Sequence, residues 1–352
     1  MAPMRVYASL TRRGEVGRLR RLAHAALGRF GVRDARLRLL RHEHNTTFRV
    51  DAPGGPYLLR LNRSGVHDER TVASEMAWLS ALAQETDLGV PLPTAADDGS
   101  FVVIASEPGV PDPRPCVLLR WQPGRLVDRR LAPTHLAAVG DLIGQLQLHA
   151  LRWTPSEAFV RPRVATLTTD ARRASVSGPA SATRGRHPTQ PDEASAVELV
   201  ERLVSSAGAS VVTDALALVR RSTGALARTP QASGLMHADL HYENVLFHRG
   251  VALAIDFDDC GWGVHLYDLA VTLSELEDRR NYDALRDALL DGYAKHRPLP
   301  DRYDDHLRAL AILRRVQLVL WILESRDLAA FRDDWRRWAS KDLAALASAI
   351  QR

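Results

Sequence analysis

Lysine is almost missing from this chain of 352 residues: it occurs only at positions 295 and 341, so nearly all the positive charge is arginine. Any role that calls for a lysine ahead of Lys295 must be filled by another residue. Cysteine is as scarce. Cys116 and Cys260 stand far apart in no metal-like spacing, which argues against a disulfide framework or a zinc site and leaves two buried thiols as the expectation. No apolar run reaches bilayer length, since the most apolar one, Val316 to Leu323, is far too short to span, and the first thirty residues hold no stretch of signal-peptide length. A cytoplasmic protein without a membrane partner is expected. The net charge of +5 comes from arginines interspersed with Asp and Glu, not from a basic run, so no nucleic-acid partner is expected either. Internal repeats are absent.

The length exceeds that at which one core usually keeps growing, which predicts two lobes, and 45% hydrophobic with 25% charged residues matches an ordinary globular composition. Leu19, Leu22, Ala25, Ala26 and Leu27 fall at helical spacing and predict a leading helix within 12–30. Thr46 to Val50 and Tyr57 to Leu61 are β-rich runs separated by Pro53, Gly54, Gly55 and Pro56, a hairpin signature. Val72, Met76, Leu79 and Leu82 predict a helix, and Phe101 to Ala105 and Cys116 to Trp121 predict two short strands. After Pro123 and Gly124 the pattern turns helical, beginning with a long amphipathic segment whose expected N-cap is Thr134. Residues 168–196 are rich in Ser, Thr, Ala, Arg, Gly and Pro without apolar periodicity and read as a flexible insertion. Short β-rich segments then flank a polar cluster near 237–259, and helices fill the remainder.

That cluster carries the chemistry. Phosphoryl transfer asks for a carboxylate to orient the acceptor hydroxyl and for hard oxygen ligands to hold Mg²⁺ on nucleotide phosphates. Asp239 with Asn244 five residues later fits one catalytic loop, and Asp256 at the end of the apolar run "LAID" faces it across a short hairpin. On this reading Asp239 is the base and Asn244 and Asp256 are the metal ligands. An acidic residue ending an apolar strand costs desolvation unless a cation or hydrogen bonds compensate. Asp258 and Asp259 lie beside Asp256 to support the metal or orient the loop, and His241 is placed either to meet substrate or to pack the loop.

The stretch "HADLHYENVLF…AIDFDDCGWG…LYDLA" resembles the catalytic and metal-binding motifs of the aminoglycoside-phosphotransferase family, which includes choline kinases and homoserine-kinase-like enzymes. The resemblance extends over about residues 35–340 and is strongest at 235–274. It implies an α+β, protein-kinase-like two-lobed fold, with a small β-rich N-lobe at 1–120 and a larger, mainly helical C-lobe at 121–352, and ATP between them. GTP is the alternative donor. It also implies that His237 braces the catalytic loop and that Asp268 caps or braces a helix. In the first lobe "HNTTFRVD" resembles the nucleotide-covering loop, which points to Asn45, Thr46 and Thr47 as phosphate neighbours. Arg60 of "YLLRLN" stands where kinases carry the phosphate-binding lysine, with Glu75 as its partner carboxylate and Glu69 as the alternative. "CVLLRWQPG" resembles the hinge, placing Leu119, Arg120 and Trp121 at the purine.

The expected activity is transfer of the γ-phosphate of ATP, with Mg²⁺, to a hydroxyl of a small molecule such as an amino alcohol, a homoserine-like compound, a sugar or an aminoglycoside. A Ser/Thr protein kinase of the stress-response type and a catalytically silent nucleotide-binding protein are the alternatives. The first partners are therefore a nucleotide and a small hydroxyl substrate. Nothing in the residues specifies the oligomeric state.

Overall fold

The computed structural model describes residues 7, 10–63, 65–127, 130–164, 193–328 and 331–351. Of the expected insertion at 168–196, residues 168–192 lie outside the described residues, and 193–196 open a helix. The fold class is α+β, and the chain divides into two compact units. One comprises Met1–Ala81, Pro91–Gln122 and Asp327–Arg332; the other comprises Leu82–Val90, Pro123–Arg326 and Asp333–Arg352.

The first unit opens with α1 (Arg12–Arg29), whose N-cap Thr11 accepts the Gly14 N–H through its hydroxyl. An antiparallel sheet follows, built from β1 (Arg36–His42), β2 (Thr46–Ala52), β3 (Gly55–Leu61), β4 (Pro93–Thr94), β5 (Val103–Ala105) and β6 (Arg114–Arg120). Its order is β1-β2-β3-β6-β4, with β5 also paired to β6. Strand alternation sorts the side chains into two faces. Phe48, Val50, Leu59, Leu61 and Leu118 share one core with Leu19, Leu22, Ala23 and Ala26 of α1. On the other face Thr47, Arg60 and Val117 stand in register across three strands. The helix α2 (Glu69–Glu85) follows β3. β1 precedes the hairpin expected from sequence; its arginines leave Leu37 as its one fully buried residue, which weakens the alternation signal. Cys116 is buried in β6, and burial pushes its thiol up to about 12, which leaves it unreactive.

The second unit begins with α3 (Pro133–Arg152). Thr134, expected as its N-cap, lies inside the helix: Pro133 takes the first helical position, which its fixed φ favours, and Ala132 is the N-cap, its N–H satisfied by His135 Nδ1. Two helices follow, α4 (Glu193–Leu203) and α5 (Ser206–Thr223), and then four short strands in two ladders. β7 (Ser233–Met236) pairs with β10 (Gly261–Val264), and β8 (Val245–His248) pairs with β9 (Val251–Ala254). Four helices complete the unit: α6 (Leu266–Ser274), α7 (Tyr282–Ala294), α8 (Tyr303–Ser325) and α9 (Trp335–Gln351). α3 and α7 meet at glycines, because a Cβ on Gly140 would stand 1.9 Å from Leu289 O and one on Gly292 would stand 2.1 Å from Ala137 O. Among the described residues no helix is long and apolar enough to cross a membrane.

Candidate active site

In the second unit β7 runs directly into His237, Ala238 and Asp239, and a one-turn 3-10 helix at Tyr242–Asn244 returns the chain to β8. The β8–β9 hairpin turns through Arg249 and Gly250, both at positive φ, the geometry of a two-residue turn that matches strand twist. It brings Ile255 back beside Asn244, whose carbonyl accepts the Ile255 N–H at 3.0 Å. Asp239, Asn244 and Asp256, five to seventeen residues apart in sequence, are thereby mounted on two adjoining loops.

Asn244 commits its amide nitrogen to Asp239, donating to the side-chain Oδ2 at 3.0 Å and to the backbone carbonyl at 2.9 Å. Its Oδ1 accepts no hydrogen bond among the described residues and is left as a hard oxygen donor. His241 Nε2 lies 3.5 Å from the same Asp239 oxygen, and its Nδ1 lies 3.7 Å from Glu275. The other Asp239 oxygen accepts from Arg314 Nη2 at 2.5 Å. Burial raises the Asp239 carboxyl, but Arg314 and His241 outweigh that and hold it below the ordinary carboxylate value, so it is ionised at neutral pH.

Three supports hold this loop. The Asp268 carboxylate, fully buried at the start of α6, accepts the backbone N–H of Ala238 at 2.7 Å and of His237 at 3.4 Å. It therefore braces the loop, where Ala238 takes a left-handed φ of 69°, and it also ties helix α3 to α6 by accepting from Gln147 at 3.1 Å. His237 accepts the Asp239 N–H at Nδ1 and donates from Nε2 to Ile255 O at 3.1 Å, tying the two loops together. Burial lowers its pKa, which keeps the ring in the neutral form that this pattern needs. Thr272 donates to Leu240 O at 2.7 Å.

A divalent cation fits these residues. Asn244 Oδ1 and the Asp256 carboxylate offer hard oxygen atoms on loops joined by a hydrogen bond, and Asp256 is held at a left-handed φ of 66°. The surrounding charge also favours a cation: burial and the charges of Asp258 and Asp239 raise the carboxyl of half-buried Asp259. Among the described residues no group of three or more His, Cys, Asp or Glu side chains is arranged to hold a metal. Arg161, buried in the segment before β7, donates to the carbonyls of Asp258 and Cys260 and pins this turn.

The first unit holds the remaining residues singled out by sequence. Arg60 donates to both oxygens of Glu75 in a bidentate buried pair, with Nη1 to Oε1 at 2.9 Å, whereas Glu69 is exposed at the start of α2. Asn45 ends the loop between β1 and β2, where its Oδ1 accepts the Arg63 N–H. Thr46 and Thr47 are the first residues of β2; the Thr46 hydroxyl is buried against His42 Nδ1 at 2.8 Å, and His42 reaches Glu15 through Nε2. Leu119 is buried in β6, Arg120 lies over the Tyr57 ring, and Trp121 carries the Arg49 guanidinium 4.7 Å from its ring centre. Arg314 was not anticipated; its one sequence signal is a charge set among buried Ile312, Leu313 and Val316. Gln147, which donates to Asp268 Oδ2 at 3.1 Å from α3, left no such signal.

Residues 36–306 match the model of the phosphotransferase enzyme family. An uncharacterized protein of Deinococcus radiodurans is 28% identical over 279 residues, covering 77% of this chain and 72% of that one. Among solved structures, a microcompartment-associated aminopropanol kinase is 27% identical with a TM-score of 0.71, covering 94% of this chain and 95% of the other. An amicoumacin kinase in complex with AMP-PNP and Ca²⁺ superposes with a TM-score of 0.72 at 18% identity, covering 96% of each chain.

Proposed function

Since the chain belongs to the phosphotransferase enzyme family, a group of enzymes acting on hydroxyl acceptors, we propose that it transfers the γ-phosphoryl group of Mg·ATP to the hydroxyl of a small molecule, with Asp239 as the base. The observation that carries this reading is the ionised Asp239 carboxylate, oriented by Asn244 on a loop that Asp268 and His237 brace. A kinase-type transfer needs little covalent chemistry from the protein; it needs the acceptor hydroxyl aimed in line and its proton received. Asp239 accepts that proton at a carboxylate oxygen. Asn244 Oδ1 and Asp256 would hold Mg²⁺, which supplies charge neutralisation on the phosphates. Arg60, kept in direction by Glu75, takes the place of the usual lysine toward the nucleotide, and Leu119 to Trp121 take the purine.

The acceptor is best sought among amino alcohols, because the similar aminopropanol kinase carries that activity in its name and matches nearly the full chain. The test is coupled ADP release with Mg·ATP across aminopropanol, choline, homoserine, sugars, aminoglycosides and a generic protein substrate. Asp239→Asn is the blank, and its turnover is expected to drop by about 10²–10⁴-fold, the range for loss of a general base. Turnover undiminished in Asp239→Asn would remove that residue from the mechanism. Turnover on the protein substrate alone would replace the small-molecule reading.

A further inference from the structure

Asp239 is gripped from two sides. Asn244 fixes Oδ2 from within the loop, and Arg314, seventy-five residues away on α8, fixes Oδ1 at 2.5 Å. Both side chains of the Arg314–Asp239 pair are largely buried, 13% and 19% exposed. The Arg314 charge also draws down the Asp259 and Glu275 carboxyls against the burial that raises them, so its influence reaches beyond the one carboxylate it contacts. Its register is set one turn on, where Gln317 accepts from Tyr267 OH, the two residues lying on one helix face.

The scaffold does not need an arginine here. α8 buries Leu307, Leu310, Leu313, Val316 and Leu320, and a buried guanidinium costs desolvation that an apolar side chain of similar size would not. Arg314 Nε has no hydrogen-bond partner among the described residues, so part of that cost stands uncompensated. An ionised carboxylate has about four lone-pair sites. With Asn244 on Oδ2, where His241 Nε2 also stands 3.5 Å away, and Arg314 on Oδ1, rotation of the carboxylate plane is restrained and a lone-pair site stays uncommitted.

We propose that Arg314 is a positioning residue that acts through Asp239, locking the plane of the carboxylate so that its free lone pair meets the acceptor hydroxyl. This rests on the phosphoryl-transfer reading above. A planar guanidinium restrains rotation where a lysine ammonium supplies charge alone, so the two cations are not equivalent at this position.

The experiment compares wild type, Arg314→Met, Arg314→Lys and Arg314→Ala in the ADP-release assay, with thermal unfolding of each as a folding control. Arg314→Met is expected to lose about 10²-fold in kcat, the scale of a misaligned reacting group, with KM for ATP and acceptor changed less than about threefold. Arg314→Lys should recover only part of that loss, and millimolar guanidinium added to Arg314→Ala should restore turnover. A folded Arg314→Met with wild-type kcat overturns the assignment, and so does a loss carried by acceptor KM alone, which would make Arg314 a binding group. Failure of both Met and Lys variants to fold assigns the arginine to the scaffold and overturns it as well. Absence of turnover in wild type overturns the phosphoryl-transfer reading and this assignment together, whereas turnover in wild type that survives in the Arg314 variants overturns this assignment alone.

Discussion

Ala238 and Asp256 hold left-handed backbone without being glycine, and they flank the two ends of the proposed chemistry. An L-residue there costs on the order of 1–2 kcal/mol, which the Asp268 hydrogen bond to the Ala238 N–H helps to offset. Strain at such a point persists only where the surroundings over-determine it. The Arg60–Glu75 pair is the other residue-scale commitment, with side chains 3% and 1% exposed. Removing one partner leaves the other charged in a dry site, so Arg60→Met is expected to destabilise the protein by about 3–5 kcal/mol, while the double change Arg60→Met with Glu75→Leu should cost far less. Urea unfolding of the single and double variants reads this directly; equal losses would mean that the pair is hydrated in solution. The Arg60–Glu75 pair was implied by the family resemblance, and the Asp239–Asn244 contact was readable from a five-residue spacing within one loop. Arg314 and Gln147 were not, since neither shares a motif with the residue it touches.

The elements that carry the site are short and held by their neighbours. β7, β8, β9 and β10 have four residues each, too few to stand alone, and they are supported by α3, which lies against β7 and β9, and by α6, which holds the loop after β7. α3 is itself placed by its seam with α7, where two glycines let the backbones approach. A methyl group on Gly140 would meet the Leu289 carbonyl at 1.9 Å, a backbone atom that cannot swing aside. Gly140→Ala is accordingly expected to lower stability by about 1–3 kcal/mol in spite of the better helix propensity of alanine. A rise in thermal midpoint for Gly140→Ala would show that the helices can separate without loss. The helix pattern of α3 was evident from sequence, but its starting residue was not, because Pro133 competes with Thr134 for the first turn and wins by conformation.

At the scale of the whole molecule, the proposed function predicts that ligand binding and stability are linked. A ligand held at a hundred times its Kd raises the apparent stability by about 2.7 kcal/mol. Mg·ATP is expected to raise the thermal midpoint of wild type, chelation by EDTA to remove the effect, and Asp256→Ala to abolish it. A shift that persists in Asp256→Ala would move the metal to other ligands. The chain's own length predicted two parts and its periodicity the hairpin and the main helices, while the α+β fold class followed from the resemblance of the 235–274 motif to the family. Those features are written in short stretches, where alternation, helical spacing and fixed intervals between polar residues act locally. Tertiary structure alone decided that Asp268 turns to the catalytic loop, that Thr46 faces into the sheet, and that an arginine seventy-five residues away grips Asp239. Such contacts depend on how helices and strands are set against one another, and no local pattern in the sequence encodes the register of that packing.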